Sequence, residues 1–396
     1  MQKNLKIYGL YAVCGSCFFL QLSTSGTALC SVVFILCGLI SGVLGEMPSI
    51  LKKYPTAIIA ILLILMISFG TIYTPVPFSK ILERLKDYRV LLYLPIVIYL
   101  CENRRNAPKY ILNSFLAGSL VALLAAYLLE FGILPNELGY EPHYHSLLSP
   151  TPHSGFMALF IFILLSKILN NEKNALYGIP IILLAFYNLF FQAGSAMGMV
   201  IFVALMGLLA LHCFSIKKIV VICLALGILS ASLYYSSPKV NHEVDEIVET
   251  LQNYEIGSGT MRNNVSLRLD WYLSCYLLIK EKPLMGYGTG SFEQVHNEFI
   301  KGTKIEPRKS PHNEYLFSGV QFGIPGIILF VSLLFAPFWA SFQFKDQEKL
   351  ILQGIVLFFA IGSIFENWLI GSYTGKFYMI VIAGLLTSQQ KRTVSQ

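Results

Sequence analysis

Apolar residues in this chain come in long, almost unbroken runs, without the polar-apolar alternation of a half-buried strand. A membrane-spanning helix needs about 20 mostly apolar residues. Reading for such runs predicts twelve segments, near 7–22, 26–45, 56–74, 89–101, 108–131, 153–169, 175–192, 195–213, 217–236, 318–341, 349–366 and 374–388. The expected fold class is an all-α polytopic membrane protein with about 12 transmembrane helices. Three regions follow: residues 1–236 with helices 1–9, a long polar loop at 237–317, and residues 318–396 with helices 10–12 and a short cytoplasmic tail.

Composition fits that reading, with 55% hydrophobic residues, only 13% charged and a mean hydropathy of +0.63. The basic residues set the orientation, because short cytoplasmic loops retain Lys and Arg. With both termini cytoplasmic, 15 of the 29 basic residues lie inside, from Lys3 and Lys6 through Arg104 and Arg105 to Lys391 and Arg392. The net charge of +7 therefore reports topology and gives no case for nucleic acid. The first run follows two lysines as a signal peptide would, but no small-residue cleavage site follows it, so an uncleaved helix is expected. Of eight cysteines, seven lie in or beside apolar segments, and no disulfide framework is implied.

Two outward segments break the charge rule. Lys80, Arg84, Lys86 and Arg89 crowd the outer end of the third and fourth spans, where an anion at headgroup depth, such as a lipid-linked phosphate or diphosphate, would account for them. Contact with ordinary membrane lipids would also account for them. The other segment is the loop at 237–317, with 9 basic and 11 acidic residues. Within it Leu267, Trp271, Cys275 and Leu278 recur at helical spacing with Arg268 and Asp270 off the stripe, which predicts an amphipathic interfacial helix over 264–280 ended by Pro283. Gly286, Gly288 and Gly290 follow without the βαβ context of a nucleotide loop and read as a tight turn.

Ser310-Pro311-His312-Asn313 has the form of a helix start, Ser as N-cap and Pro at the first helical position, which puts His312 in the first turn of the tenth span. The helix dipole there disfavours imidazolium, leaving a neutral ring free to take a proton from a hydroxyl; a ring that only caps or packs fits as well. Gly319, Gly323 and Gly326 form a small-residue stripe suited to close helix approach. Arg268, if turned inward, can clamp a phosphate through two donors, and Arg262 is the solvated alternative. His143, His145 and His153 share another outer loop, but irregular spacing and the lack of carboxylate or Cys partners argue against a metal site. Glu130, Glu366 and Lys376 sit near helix ends and leave little for the ion path that a transporter or flippase would need.

The pattern His312-Asn313, nine residues, Gly323-Ile-Pro-Gly326 resembles the signature of the O-antigen ligases. Arg268-Leu-Asp-Trp271, Lys282-Pro283-Leu-Met-Gly286-Tyr-Gly288 and Phe292 look like the run that O-antigen ligases and polymerases share. The resemblance implies a GT-C-like fold with a large periplasmic loop, in the bacterial inner membrane. It also implies inverting transfer of O-antigen from undecaprenyl diphosphate to a sugar hydroxyl of the lipid A-core, without metal or other cofactor. Carried over, His312 assists the acceptor hydroxyl, Arg268 stabilises the departing diphosphate, and Asn313, Lys80, Arg84, Lys86 and Arg89 bind the donor. O-antigen polymerase and protein O-oligosaccharyltransferase, which use the same donor class, are the alternatives. One departure stands out: the family's arginine after the seventh span is missing from Gln192-Ala-Gly-Ser195-Ala196-Met197-Gly198.

Overall fold

The computed structural model describes residues 2–140, 146–170, 175–215 and 264–388, with isolated positions between 217 and 254. Among them are helices and no strand: α1 (Gln2–Phe19), α2 (Thr24–Ile40), α3 (Val43–Lys53), α4 (Pro55–Gly70), α5 (Phe78–Tyr88), α6 (Tyr93–Cys101), α7 (Ala107–Glu130), α8 (Pro150–Leu169), α9 (Ile179–Tyr187), α10 (Ala196–Cys213), α11 (Asn264–Glu281), α12 (Phe292–Phe299), α13 (Glu314–Ala340), α14 (Asp346–Phe365) and α15 (Thr374–Leu386). Helices occupy the expected positions except 217–236, which lies almost wholly outside the described residues, as do Arg262, His143 and His145. Five are long and apolar enough to cross a membrane, or six when α2 and α3, bent by 95°, count as one span. The chain is thus a multi-pass membrane protein, with a count of crossings smaller among the described residues than the twelve expected.

Between helices in lipid, association depends on shape and dispersion contacts. A hub of four phenylalanines supplies them: Phe115 of α7 and Phe377 of α15 have ring centroids 4.6 Å apart, and Phe156 of α8 lies 5.5 Å from Phe358 of α14. All four rings are buried.

The long helix α13 does not run continuously. At Gly323 the backbone leaves the helical region, with φ 67° and ψ −162°, and the carbonyls above the break lose their partners one turn on. The segment after α11 supplies replacements. Tyr287 N donates to Val320 O at 3.0 Å, Gly288 N to Gln321 O at 2.8 Å, and Ile324 N to Pro283 O at 2.7 Å. The same segment reaches α4, where Thr289 N donates to Gly70 O at 3.1 Å. What reads in sequence as a tight turn is a stitch that closes the gap in α13. Glycine is required at the break, because a Cβ on Gly323 would lie 2.4 Å from Pro283 O. Gly319 serves the close approach expected of it, against Ile279 of α11, whereas a Cβ on Gly326 would meet Phe322 and Ser318 of its own helix.

Trp271, Cys275 and Leu278 of α11 are buried, as their spacing predicts. Asp270 corrects the expectation for that helix. It is only 8% exposed and accepts a hydrogen bond from Tyr254 Oη at 2.5 Å. Ser266, Asp270 and Ser274 make a second buried stripe at i, i+4 and i+8, adjacent to the apolar one, so the covered face is broader than the apolar pattern alone marks.

Gly323→Ala is expected to destabilise the protein by about 1–3 kcal/mol, measured as a lower midpoint of thermal unfolding in detergent. Gly207→Ala, where a Cβ meets nothing within 4 Å, is expected to leave the midpoint unchanged or slightly raised.

Candidate functional site

The N-terminal end of α13 differs from the sequence expectation. Its N-cap is Asn313, whose side-chain oxygen accepts from Leu316 N at 3.0 Å, and the first helical residue is Glu314. Ser310 and Pro311 precede the helix, and His312 stands outside its first turn with φ 52°. Asn is as good an N-cap as Ser, and the later cap wins because His312 turns the chain through the left-handed region first. A non-glycine residue held there is uncommon, and such positions cluster at functional sites.

That turn aims the imidazole at Glu366, the residue that ends α14. His312 Nδ1 lies 2.8 Å from Glu366 Oε2, and both side chains are about one-third exposed. An Nδ1–H donating to the carboxylate leaves Nε2 free as an acceptor. Trp271 covers the ring, with centroids 5.6 Å apart. Tyr272 Oη donates to Ile364 O at 2.7 Å and is 3.3 Å from His312 O, so α11 touches both the histidine and the last turn of α14. Arg268, one turn earlier on α11, donates to Phe365 O at 3.4 Å, beside Glu366.

Glu366 was not a candidate in the sequence, although one signal was available. If α13 and α14 cross in opposite directions, the start of one and the end of the other share a face, and Glu366 is the acidic residue at that end. The turn carrying it is fixed from below, since buried Glu314 accepts from Leu369 N at 3.1 Å.

The four cations of α5, its C-cap Arg89 included, separate into two kinds. Lys80 pairs with Glu293 of α12 at 3.3 Å, and Arg84 turns inward, 3.1 Å from Asp87 and 5.0 Å from the Phe317 ring of α13. Burial pushes the Asp87 carboxyl above its usual pKa, with Arg84 opposing the shift. Lys86 and Arg89 stay exposed and form no ion pair among the described residues. Lys376, missed as a candidate because it lies one turn inside the last apolar run, is within electrostatic reach of Arg89.

The stretch that lacks the family arginine contains a polar chain. Gln192 Nε2 donates to Glu130, Asn188 Nδ2 donates to Gln192 Oε1 at 2.6 Å, and buried His153 Nε2 lies 3.0 Å from Asn188 Oδ1. These contacts place His153 among amides of its own bundle.

The fold and this constellation define a multi-pass membrane protein, with helices and no strand among the described residues, and with a histidine–carboxylate pair near which Arg84 and Arg268 lie at the start of one broken helix. Residues 148–331 match the family model described as O-antigen ligase, and that match supports membership of the O-antigen ligase family. The family comprises membrane glycosyltransferase-like enzymes of the ligase and polymerase type. The matched stretch contains Arg268, His312, Asn313, Gly323 and Gly326, and leaves Glu366 and the α5 cations outside it. The chain is also similar to a protein of Haemophilus influenzae described only as uncharacterized, 23% identical over 265 residues. That match covers 63% of this chain and 63% of the relative's length.

His296 lies buried in α12, stacked on Phe292 at 5.2 Å. Burial lowers its pKa, with Asn297 opposing. The unfolded chain therefore takes up this proton first, so the histidine costs stability as the pH falls through the ordinary value of 6.5. The thermal midpoint in detergent is expected to fall between about pH 7.5 and about pH 5.5, and His296→Leu to make that fall less steep.

Proposed function

We propose that this chain is an O-antigen ligase, which moves O-antigen from undecaprenyl diphosphate onto a sugar hydroxyl of the lipid A-core at the periplasmic face of the inner membrane. The observation that carries the reading is the His312–Glu366 contact at 2.8 Å, which joins a histidine of the stretch that matches the ligase family to a carboxylate beyond it.

The acceptor oxygen attacks the anomeric carbon as the bond to the diphosphate oxygen breaks, and His312 Nε2 takes the hydroxyl proton. A single displacement inverts the anomeric centre. Glu366 holds the ring in the tautomer with Nε2 free and faces the positive charge once the proton has moved. Negative charge grows on the leaving diphosphate, and cations placed before the reaction favour that transition state over the ground state. Arg268, Lys86 and Arg89 supply such charge, with Lys376 within electrostatic reach of Arg89. Lys80 and Arg84, already paired with carboxylates, hold α5 against α12 and α13.

The test is lipopolysaccharide gel analysis of a ligase-deficient host expressing the chain, beside transfer by purified protein from undecaprenyl diphosphate-linked O-antigen to lipid A-core. The unmodified chain is expected to restore long-chain lipopolysaccharide. His312→Ala and Arg268→Ala are expected to abolish it, and Glu366→Gln to lower kcat by about a hundredfold, all with normal membrane insertion. Full transfer by His312→Ala would overturn its role as base. Growth of the glycan on undecaprenyl diphosphate, with none reaching lipid A-core, would make the chain a polymerase.

A further inference from the structure

The segment between α12 and His312 holds Lys301, Lys304, Arg308 and Lys309 against one carboxylate, Glu306. It is an ordered strap. Ile300 and Ile305, 4% and 6% exposed, bury themselves against Trp271, with Leu267 and Tyr272 packed around them. Between these two anchors Thr303 N donates to Ile300 O at 2.9 Å, and Ile305 N to Thr303 Oγ1 at 3.2 Å. With both isoleucines held inward, the lysines face outward. Lys301, Lys304 and Lys309 are exposed and form no ion pair among the described residues, in contrast to Lys80 and Arg84 at the same end of the bundle.

Arg308 joins this rim to the reacting centre. It is 3.3 Å from Glu306, and its guanidinium lies 4.7 Å from the Trp271 ring, the ring that covers His312. Through Trp271 the rim therefore adjoins His312, the group assigned to the acceptor hydroxyl. The α5 cations reach α13 from another direction, through Phe317. A neutral glycan would gain little from three unpaired ammonium groups, whereas phosphate or carboxylate oxygens can take charge-assisted hydrogen bonds from each.

We propose that the strap 300–309 binds an anionic group, phosphate or carboxylate, carried by the acceptor glycolipid on a sugar neighbouring the one whose hydroxyl meets His312. The inference deepens the ligase reading and rests on it for the word acceptor. It makes the acceptor an anionic glycolipid, selected by charge before its hydroxyl is placed.

The experiment uses the full chain in phosphatidylcholine nanodiscs. The probes are a purified phosphorylated core glycolipid, the same glycolipid after phosphatase treatment, and soluble short-chain phosphatidylglycerol. Kd is measured for each without donor, and KM for both substrates in the transfer assay. The unmodified chain is expected to bind the phosphorylated glycolipid about tenfold more tightly than the treated one. In the variant Lys301→Gln/Lys304→Gln/Lys309→Gln the preference is expected to vanish and the acceptor KM to rise, with the donor KM unchanged. Equal binding of both forms by the unmodified chain would overturn the proposal, as would a preference that survives in the variant. An equal loss of phosphatidylglycerol binding would also overturn it, because the strap would then be a headgroup contact. Since binding is read without transfer, a chain that prefers the phosphorylated form but transfers nothing would refute the ligase reading and leave the strap as an anionic-glycolipid site.

Discussion

A helix interrupted inside a membrane protein exposes backbone groups that lipid cannot satisfy, and the rest of this site depends on how the gap at Gly323 is closed. Protein must supply the missing partners. Here the segment 283–289 does so on both sides of the break and bonds to the end of α4 as well. Gln321, fully buried, extends the closure: its Oε1 accepts from Gly290 N at 2.7 Å, and its Nε2 donates to Tyr88 Oη at 3.2 Å. One side chain thus ties α5 and the stitch to the upper half of α13. The cations of α5 and the histidine before α13 are consequently referred to a common support, which matters when charge must be placed within fractions of an ångström of a departing group.

Two carboxylates divide the work at the end of α13. Glu314 is buried and holds the turn after α14 by its backbone, while Glu366 on that turn remains partly exposed and meets the imidazole. Trp368 adds weight to the same turn, with its ring 4.6 Å from Phe358 and 5.7 Å from Phe359 of α14. The exposed carboxylate is therefore mounted on packed aromatic rings, as a residue that orients another must be.

The helices were largely legible because their signal is local: a run of apolar residues about as long as a bilayer is thick. The buried stripe of α11 was legible for the same reason, through the spacing of Trp271, Cys275 and Leu278. His312 was legible as a residue of interest, but its backbone conformation was not, since both Ser310 and Asn313 are good caps and the choice between them goes with the left-handed turn at His312. Glu366 was hidden because its meaning comes entirely from a partner 54 positions away. Gly286-Tyr-Gly288-Thr-Gly290 read as a turn because nothing local says that a broken helix lies opposite. What the sequence withheld was pairing over long separations, and the candidate site is made of such pairings.

The order in which these parts occur along the chain bears on how the protein is made. Chains emerge from the ribosome N-terminus first, and α4, α5 and α11 precede the helix they support. The stitch 283–289 also precedes the break it closes, so the frame around His312 can assemble as soon as α13 enters the membrane. Glu366 arrives only after α14 has been inserted. The histidine therefore waits for its carboxylate while the next 54 residues are made, and the pair can form only when α13 and α14 are both in the membrane, before α15 completes the bundle.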